Sequence, residues 1–345
     1  MPDRMVSGRR LFAWAPALAA LAFALVACAP EHFPQTTLLP RGDFGRMGDQ
    51  VFRKTVFWAT VVFVLVEGAL LFAMWKFRAR PGAPEPAQTH GNTLLEIVWT
   101  MIPAFILAMI AVPTVRTIFR QAQRPGPEAL QVEVIGHQWW WEFRYPALGI
   151  VTANELHVPV GRPVNLEMTT ADVIHSFWLP QFAGKRDVMP NRHSNLWFTA
   201  EVVGNYPAQC VEFCGQQHGR MAYRIVVQPA DSFDAWAANF NRPPRTYTDT
   251  TVQHDPLLVQ GEQLFTQKGC VGCHSMYPAL PLAGPNLHHI GSRSHIAAGT
   301  LVNTDENLAR WIQNPQGWKA GVLMPNLGLT DEETRALVAY LRSQQ

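Results

Sequence analysis

The chain has 345 residues, of which 48% are hydrophobic and 16% are charged, and its formal net charge is +2. This length allows two or three domains. The near-neutral charge excludes the broad basic surface that a nucleic-acid partner would need, so we expect no nucleic acid among the partners. Each of the five cysteines lies in a recognisable context, which leaves none for a structural disulfide.

The N-terminal segment has the layout of an export signal. Two arginines precede a nearly uninterrupted apolar stretch over residues 11–27, which is short for a membrane span. The stretch ends in Leu-Val-Ala before Cys28, which resembles a bacterial lipoprotein box. We therefore predict a signal peptide over 1–27, an exported segment over 28–50 and lipidation of Cys28. Ordinary signal cleavage nearby and a retained apolar helix are the alternatives.

Two apolar stretches predict a transmembrane hairpin within residues 51–120. The predicted spans, 55–75 and 97–115, are about as long as a hydrocarbon core of roughly 30 Å requires. The first contains one ionisable residue, Glu67, whose role the sequence does not indicate. Basic residues flank both ends, so the export signal decides the orientation. Two spans return the chain to the outer side, which places all that follows outside the cytoplasm.

Residues 128–230 predict a small all-β domain. Short alternating or β-branched runs, such as 131–135, 164–168 and 223–227, are separated by Gly, Pro and Asn. This pattern is typical of strands that bury one face.

The last third of the chain changes character. We predict a linker over 231–253, since part of it is rich in Pro and Thr. A helical domain follows over 254–345. Within it, Thr330 and Glu333 have the spacing of a capping box at the start of a helix.

A sulfur-rich segment lies near the end of the β region. Cys210, Cys214, His218 and Met221 place two thiols, an imidazole and a thioether within twelve residues. Soft sulfur and imidazole ligands select copper and point to electron transfer. Two cysteines four residues apart can bridge two copper ions, so the spacing favours a binuclear centre. A disulfide or a zinc site is the alternative. Spacing does not select the second imidazole among the other candidates: His137, His157, His175 and His193.

A second redox motif, Cys270-Val-Gly-Cys273-His274, has the pattern of c-type haem attachment. The two thiols bind the haem vinyl groups and the histidine ligates the iron. A chance match, a zinc site or a redox dithiol is the alternative. Residues 255–345 resemble a class I cytochrome c, which implies Met324 as the second axial ligand and the Pro285 carbonyl as acceptor for His274. The rival sixth ligands in this region are Met276, His288, His289 and His295.

Residues 50–230 resemble subunit II of cytochrome c oxidases. The segments 172–178, 185–192 and 210–221 occur in the family order. The resemblance implies a cupredoxin-like Greek-key fold and a magnesium ion shared with subunit I through the Glu212 side chain. Val211 and Asn191 depart from commoner residues without changing a ligand atom. The implied ligands of the binuclear copper centre are His175, Cys210, the Glu212 backbone carbonyl, Cys214, His218 and Met221.

Two further residues gain roles from this resemblance. The aromatic run over 136–145 is by itself an ordinary apolar strand. The resemblance adds that electrons enter at Trp139, and Trp140 stands where tyrosine is commoner. Glu96, at the start of the second span, matches a family glutamate at the mouth of a proton channel. A carboxylate that merely extends to the interface is the alternative.

These observations predict the electron-delivery subunit of a proton-pumping, caa-type haem-copper oxidase in a bacterial inner membrane. Electrons are expected to pass from covalent haem c to binuclear copper and on to the oxygen-reducing site of subunit I, with no catalytic residue in this chain. Tethering the donor makes this step intramolecular. Expected partners are subunit I, subunit III, membrane lipid and an upstream cytochrome or quinol-oxidising complex. The alternatives are a nitric oxide reductase subunit and a copper-binding module without redox turnover.

Overall fold

The structure is a computed structural model that describes these residues: 33–82, 85, 88, 90–249, 251, 253–278 and 282–345. The predicted signal peptide and Cys28 lie outside the described residues. Lipidation of Cys28 therefore stays a prediction.

Two long helices form a hairpin, α1 over Asp43–Lys76 and α2 over Thr93–Ala122. Each contains an 18-residue window of high mean hydropathy, 2.3 and 2.2, with no residue of the window buried. At 1.5 Å per residue, α1 is about 51 Å long, which exceeds a hydrocarbon core of about 30 Å. Both helices extend beyond the predicted spans, and Glu67 lies half-buried on α1. The hairpin is thus long and apolar enough to cross a membrane and to continue beyond it.

The N-terminal end of α1 and the C-terminal end of α2 pack against the β-rich domain. Phe44 packs edge-on against Trp197, with 5.5 Å between the ring centroids. The Trp197 indole donates to the Gln121 carbonyl over 3.0 Å, and the Gln121 amide donates to the Phe44 carbonyl. Asp43 accepts from the Thr199 backbone N–H at 2.7 Å. These contacts fix the β-rich domain directly on the hairpin.

The β-rich domain is a sandwich of two five-stranded sheets. One sheet has the order β3-β2-β1-β5-β8 and the other β4-β10-β9-β6-β7, with β1/β5 and β4/β10 parallel and the other pairs antiparallel. Buried and less buried positions alternate along β1 and β10, which places one face of each strand in the core. The strands are β1 Leu130–His137, β2 Trp140–Tyr145, β3 Ile150–Ala153, β4 Glu155–Pro159, β5 Pro163–Thr170, β6 His175–Leu179, β7 Gly184–Val188, β8 Ser194–Thr199, β9 Gly204–Cys210 and β10 Ala222–Gln228.

A helix, α3 over Ala230–Phe240, follows the last strand and occupies the first part of the predicted linker. Phe233, Ala237 and Phe240 are buried in the same core as the sandwich. Their spacing of i, i+4 and i+7 gives one apolar helix face. The predicted linker therefore contains a helix that packs on the β-rich domain.

The C-terminal domain is helical around a core of its own. Its helices are α4 Pro256–Gln267, α5 Asp305–Gln313, α6 Pro315–Trp318 and α7 Asp331–Ser343, and the short strands β11 His295–Ile296 and β12 Leu301–Val302 pair between them. Gly261 allows α4 to approach α7 closely, since a Cβ there would lie 2.2 Å from the Ala336 carbonyl oxygen. The predicted capping box at Thr330 and Glu333 is confirmed. The predicted fold class is confirmed as well.

Candidate metal and haem sites

Two cysteine thiols form the centre of a buried cluster in the sandwich. The Sγ atoms of Cys210 and Cys214 are 3.8 Å apart. A disulfide requires about 2.05 Å between the sulfurs, so the two thiols are not bonded to each other. The four cysteines in the described part of the chain are all free.

Nitrogen, oxygen and sulfur donors surround these two thiols. His175 Nδ1 lies 3.9 Å from the Cys210 sulfur, and the Glu212 carbonyl oxygen lies 3.3 Å from it. On the other side, His218 Nδ1 and Met221 Sδ lie 3.6 and 3.8 Å from the Cys214 sulfur. The structure thus brings together all the residues that sequence analysis assigned to the copper centre.

The sheet positions these donors from two directions. His175 begins β6 and Cys210 ends β9, and these two strands are paired. The Cys210 N–H donates to the Met221 carbonyl at 2.9 Å, which closes the loop between β9 and β10. Backbone hydrogen bonds of the sandwich therefore position His175 and Cys210, and the loop between β9 and β10 supplies the Glu212 carbonyl, Cys214, His218 and Met221.

The thiols carry strongly shifted pKa values. The contact with the Cys214 thiol lowers the pKa of Cys210 to about 3. The same contact, together with burial, raises the pKa of Cys214. Two adjacent thiolates repel each other, so the pair favours a cation that offsets the second negative charge. The donor set of the cluster therefore fits a thiophilic metal.

Asp172 orients His175, a contact that the sequence analysis did not assign. Its Oδ1 lies 2.8 Å from His175 Nε2. Burial lowers the pKa of His175, but the Asp172 and Cys210 acceptors outweigh burial and raise it overall. A carboxylate on one ring nitrogen leaves Nδ1 directed at the thiols, as in many metal sites. The spacing of three residues before the histidine is the only sequence signal for this contact.

The other candidate histidines lie elsewhere. His137 stacks on Trp140, with the rings 4.1 Å apart. His157 bonds Gln228, with 3.0 Å between its Nδ1 and the Gln228 Oε1. His193 is exposed and lies near Glu167. Of the four candidates, His175 is therefore the one that the fold places beside the cysteines.

A second site is an apolar cavity of about 260 Å³ that extends from the C-terminal domain to the sandwich. Cys270, Cys273 and His274 line one part of it, and Met324 lines it as well. His274 Nδ1 lies 2.7 Å from the Pro285 carbonyl, which leaves Nε2 available as a ligand. Burial lowers the pKa of His274, so the neutral ring that binds iron is favoured. The cavity therefore fits a haem.

The rival sixth ligands have other environments. Met276 is buried in the core of the domain. His288 lies 2.7 Å from the Phe240 carbonyl, and His289 packs against the same phenylalanine. His295 lines the cavity, but its Nε2 lies 2.6 Å from the guanidinium of Arg224.

Trp139 lies between the two sites. Its indole N–H donates to the Cys214 carbonyl over 3.0 Å, and the Gln138 side chain donates to the same oxygen. Only 9% of Trp139 is exposed. Trp139 and Trp140 also line the wall of the apolar cavity. One indole thus contacts the metal loop and borders the haem cavity.

The two predicted carboxylates are exposed. Glu96 lies in the first turn of α2, where Asn92 caps the helix by accepting from the Leu95 N–H. Glu212 directs its backbone carbonyl at the thiols while the residue itself is exposed. Neither carboxylate is part of the thiol cluster.

These features define a membrane-anchored electron-transfer protein with a soft-metal site and a c-type haem cavity. Residues 47–117 match the family described as cytochrome c oxidase subunit II, transmembrane domain. Residues 148–230 match the periplasmic domain of the same subunit, and residues 258–345 match cytochrome c.

Full-length relatives agree with these matches. The cytochrome c oxidase subunit 2 of Alkalihalophilus pseudofirmus is 37% identical over 290 residues, covering 82% of this chain and 83% of that protein. The Bacillus subtilis protein of the same name is 33% identical over 278 residues, covering 74% and 76%. The chain belongs to the cytochrome c oxidase subunit II family and carries a C-terminal cytochrome c domain. The family implies copper and haem c as cofactors, and it does not favour the two alternatives.

Solved structures also resemble this chain. The periplasmic domain of subunit II of cytochrome oxidase from Bradyrhizobium japonicum is 34% identical and covers 32% of this chain and 94% of that chain, with a TM-score of 0.32.

Proposed function

We propose that this chain delivers electrons to the oxygen-reducing site of a haem-copper oxidase through covalent haem c, Trp139 and a binuclear copper centre. When bound, haem c and copper supply one-electron redox chemistry. The polypeptide supplies the ligands, their separation and an apolar path that excludes water.

The observation that carries this proposal is the position of Trp139. Its indole donates to the Cys214 carbonyl, and its ring borders the cavity lined by Cys270 and His274. A buried aromatic side chain at this point places a continuous set of packed atoms between the two sites. Trp139 would therefore receive electrons from the haem side, and its indole would be in direct contact with the backbone of Cys214, a copper ligand.

The copper ligands would fall into two groups around the two thiols. Cys210 and Cys214 would hold the copper centre, because each sulfur has further donors within 4 Å. His175 and the Glu212 carbonyl lie near Cys210, whereas His218 and Met221 lie near Cys214. Because the sandwich fixes these donors, little rearrangement should accompany a change of charge.

The haem would be held by residues of the cytochrome domain. Cys270 and Cys273 would hold the haem covalently, and His274 and Met324 would ligate its iron. The Pro285 carbonyl orients His274 through Nδ1. An apolar wall and a methionine ligand would both raise the haem potential, as a carrier that feeds an oxidase requires.

The proposed assembly places the sandwich and the cytochrome domain on the outer side of the inner membrane. Subunit I, with the oxygen-reducing site, would lie beside the hairpin, and subunit III would complete the complex. An upstream cytochrome or quinol-oxidising complex would reduce the haem. The exposed Glu212 carboxylate would share a magnesium ion with subunit I, and Glu96 would lie at the entrance of its proton path.

The test is purification of the membrane complex with identification of its subunits. Oxygen uptake is measured with and without an ascorbate-reduced mediator, alongside the copper resonance and near-infrared absorption. We expect a haem-copper oxidase partner, mediator-dependent uptake and a multiline resonance from a mixed-valence copper pair. A complex without an oxidase partner would contradict the function, and the resonance of isolated single copper ions would contradict the binuclear centre.

A further inference from the structure

A short turn after α6, residues 319–321, lies where the cytochrome domain meets the sandwich. Lys319 belongs to the cytochrome domain, yet its Nζ donates to the backbone carbonyl of Trp139 over 2.9 Å. The two residues are 180 positions apart in the chain. Only 2% of Lys319 is exposed, which is exceptional for an isolated lysine. Lys319 therefore joins the two domains at the proposed electron-transfer tryptophan.

The loop that carries His218 holds the same turn from the other side. The Gln217 amide donates to the Ala320 carbonyl over 2.8 Å. A Cβ at Gly321 would lie 2.7 Å from the Gln216 Oε1, and the φ of +84° also favours glycine. The Gln216 side chain of the metal loop thus lies directly against the turn at position 321, where the positive φ favours glycine.

An additional contact extends this junction. The guanidinium of Arg220 lies over the Trp318 ring, 5.2 Å from its centroid. This geometry is that of a cation–π pair. Contacts on successive residues from 318 to 321 therefore connect the cytochrome turn to Trp139 and to the metal loop.

Because Lys319 is buried, losing its hydrogen bond to the Trp139 carbonyl would destabilise the structure. Burial and, to a lesser extent, the neighbouring Arg220 together lower the pKa of Lys319 to about 7. A buried amine that loses its acceptor must either regain water or remain unpaired. The acceptor of this hydrogen bond is the backbone carbonyl of Trp139, which cannot change rotamer. The bond therefore fixes the position of the Lys319 amine relative to the sandwich. A lysine in this position resists sliding of one domain over the other.

We propose that Lys319 is a positioning residue that holds the cytochrome domain with the mouth of the haem cavity on Trp139. The role rests on the proposed electron path, which Lys319 serves without touching the haem iron or the copper ligands. It acts through the backbone of Trp139, so the separation and orientation of the two redox sites depend on it.

The test compares Lys319→Met with Arg335→Met in the complete oxidase complex. Methionine keeps a long apolar stem but cannot donate to the Trp139 carbonyl. Arg335 is the control, because it is a cytochrome-domain cation on α7 that is exposed and lies outside the lining of the haem cavity. Three quantities are measured: backbone hydrogen exchange in the resting complex, the haem c potential, and the first-order rate of haem-to-copper transfer after photoreduction.

For Lys319→Met we expect faster exchange confined to residues 138–141 and 216–220. The transfer rate should fall about tenfold, which corresponds to about 1.4 kcal/mol of added barrier. Lys319 also lines the haem cavity, so the haem c potential is measured to separate a change of charge beside the haem from a change of position. Arg335→Met should match the parent in exchange at these segments and in transfer rate.

Two results would overturn the positioning role. One is parental exchange and parental transfer in Lys319→Met. The other is a shifted haem potential with faster exchange throughout the cytochrome domain, because that would assign Lys319 to the internal stability of the domain. Failure of the electron path is distinguishable, since the parent complex would then show no haem-to-copper transfer whatever the exchange data show.

Discussion

The copper site and the haem site are built in opposite ways. At the copper site, His175 and Cys210 belong to paired strands, and the thiols and the Met221 side chain are almost fully buried. At the haem site, the ligands lie on loops around an apolar cavity, and Cys273 is exposed. Backbone hydrogen bonds of the sandwich and of its β9–β10 loop determine the first geometry. The second depends on the contacts that the haem itself provides.

The two sites therefore differ in the source of their stability. A β-sandwich core supports the copper donors whether or not the metal is bound. The cytochrome domain has about ninety residues with a large cavity in its core, and small domains have little stability in reserve. We therefore expect loss of haem to affect folding and loss of copper to affect mainly function.

The largest expected effect comes from removing both haem-attaching thiols with Cys270→Ser and Cys273→Ser together. The covalent bonds cannot form, so the cytochrome domain should lose its haem and much of its order. Haem staining after denaturing electrophoresis should be absent, while the copper absorption should remain, because the sandwich has its own core. Loss of the copper absorption in the same variant would show that the two sites are not independently built.

The next largest effect is expected for Met221→Leu. Leucine has a similar volume but lacks the sulfur that lies 3.8 Å from Cys214. The copper spectrum should shift and haem-to-copper transfer should slow about tenfold, equivalent to about 1.4 kcal/mol. Haem c should stay attached. Unchanged spectra and kinetics would show that Met221 is not a ligand.

A smaller effect is expected from pH at a contact between the two regions. Glu155, on the sandwich, is 4% exposed and accepts from the Ser294 backbone N–H over 2.8 Å. Burial raises the pKa of Glu155, but His157 and Ser294 outweigh burial and lower it below the ordinary 4.5. A depressed pKa means that the contribution of Glu155 is present above pH 4.5 and is lost as the pH falls through the lowered value.

Docking of the cytochrome domain should therefore weaken at acidic pH, below the ordinary pKa of glutamate. Glu155→Gln should show a weaker pH dependence of haem-to-copper transfer in that range, because the amide does not titrate. Asp305→Asn is the control, since Asp305 pairs with Arg342 inside the cytochrome domain. An identical acid profile for Glu155→Gln and the parent would remove Glu155 from this role.

The smallest effect is expected at the cap of α7. Thr330→Ala removes the side-chain acceptor for the Glu333 N–H, which lies 3.2 Å from the Thr330 hydroxyl. The cytochrome domain should lose about 1 kcal/mol of stability. Denaturant unfolding followed by haem absorption measures this change, and the unfolding of the sandwich should not move. A shift of both transitions would mean that the domains unfold as one unit.

Local patterns made much of the fold predictable. Apolar runs, alternating strands and the Thr330 capping box each depend on residues close in sequence, and so do the donors from Cys210 to Met221. Helix α3 was missed although Phe233, Ala237 and Phe240 give it one apolar face. Because the strand pattern ends at Gln228, the predicted linker was placed directly after it.

Contacts between distant residues were out of reach. Spacing did not separate His175 from three other histidines, and only resemblance selected it. Asp172 lay inside a quoted motif, but its bond to His175 depends on the loop before β6. Lys319 and Glu155 gain their partners only when two separate domains meet. No periodic pattern in the sequence predicts which residues meet at that contact.

The relay through Trp139 is tested by the rate of haem-to-copper transfer in Trp139→Phe. Phenylalanine keeps an aromatic ring in the core but loses the bond to the Cys214 carbonyl. Trp236→Phe is the matched control, since Trp236 stacks on His157 rather than bordering the cavity. After photoreduction of haem c, the relay predicts transfer about tenfold slower in Trp139→Phe, or about 1.4 kcal/mol, and parental in Trp236→Phe. Parental transfer in Trp139→Phe, with both absorption spectra intact, would contradict the relay.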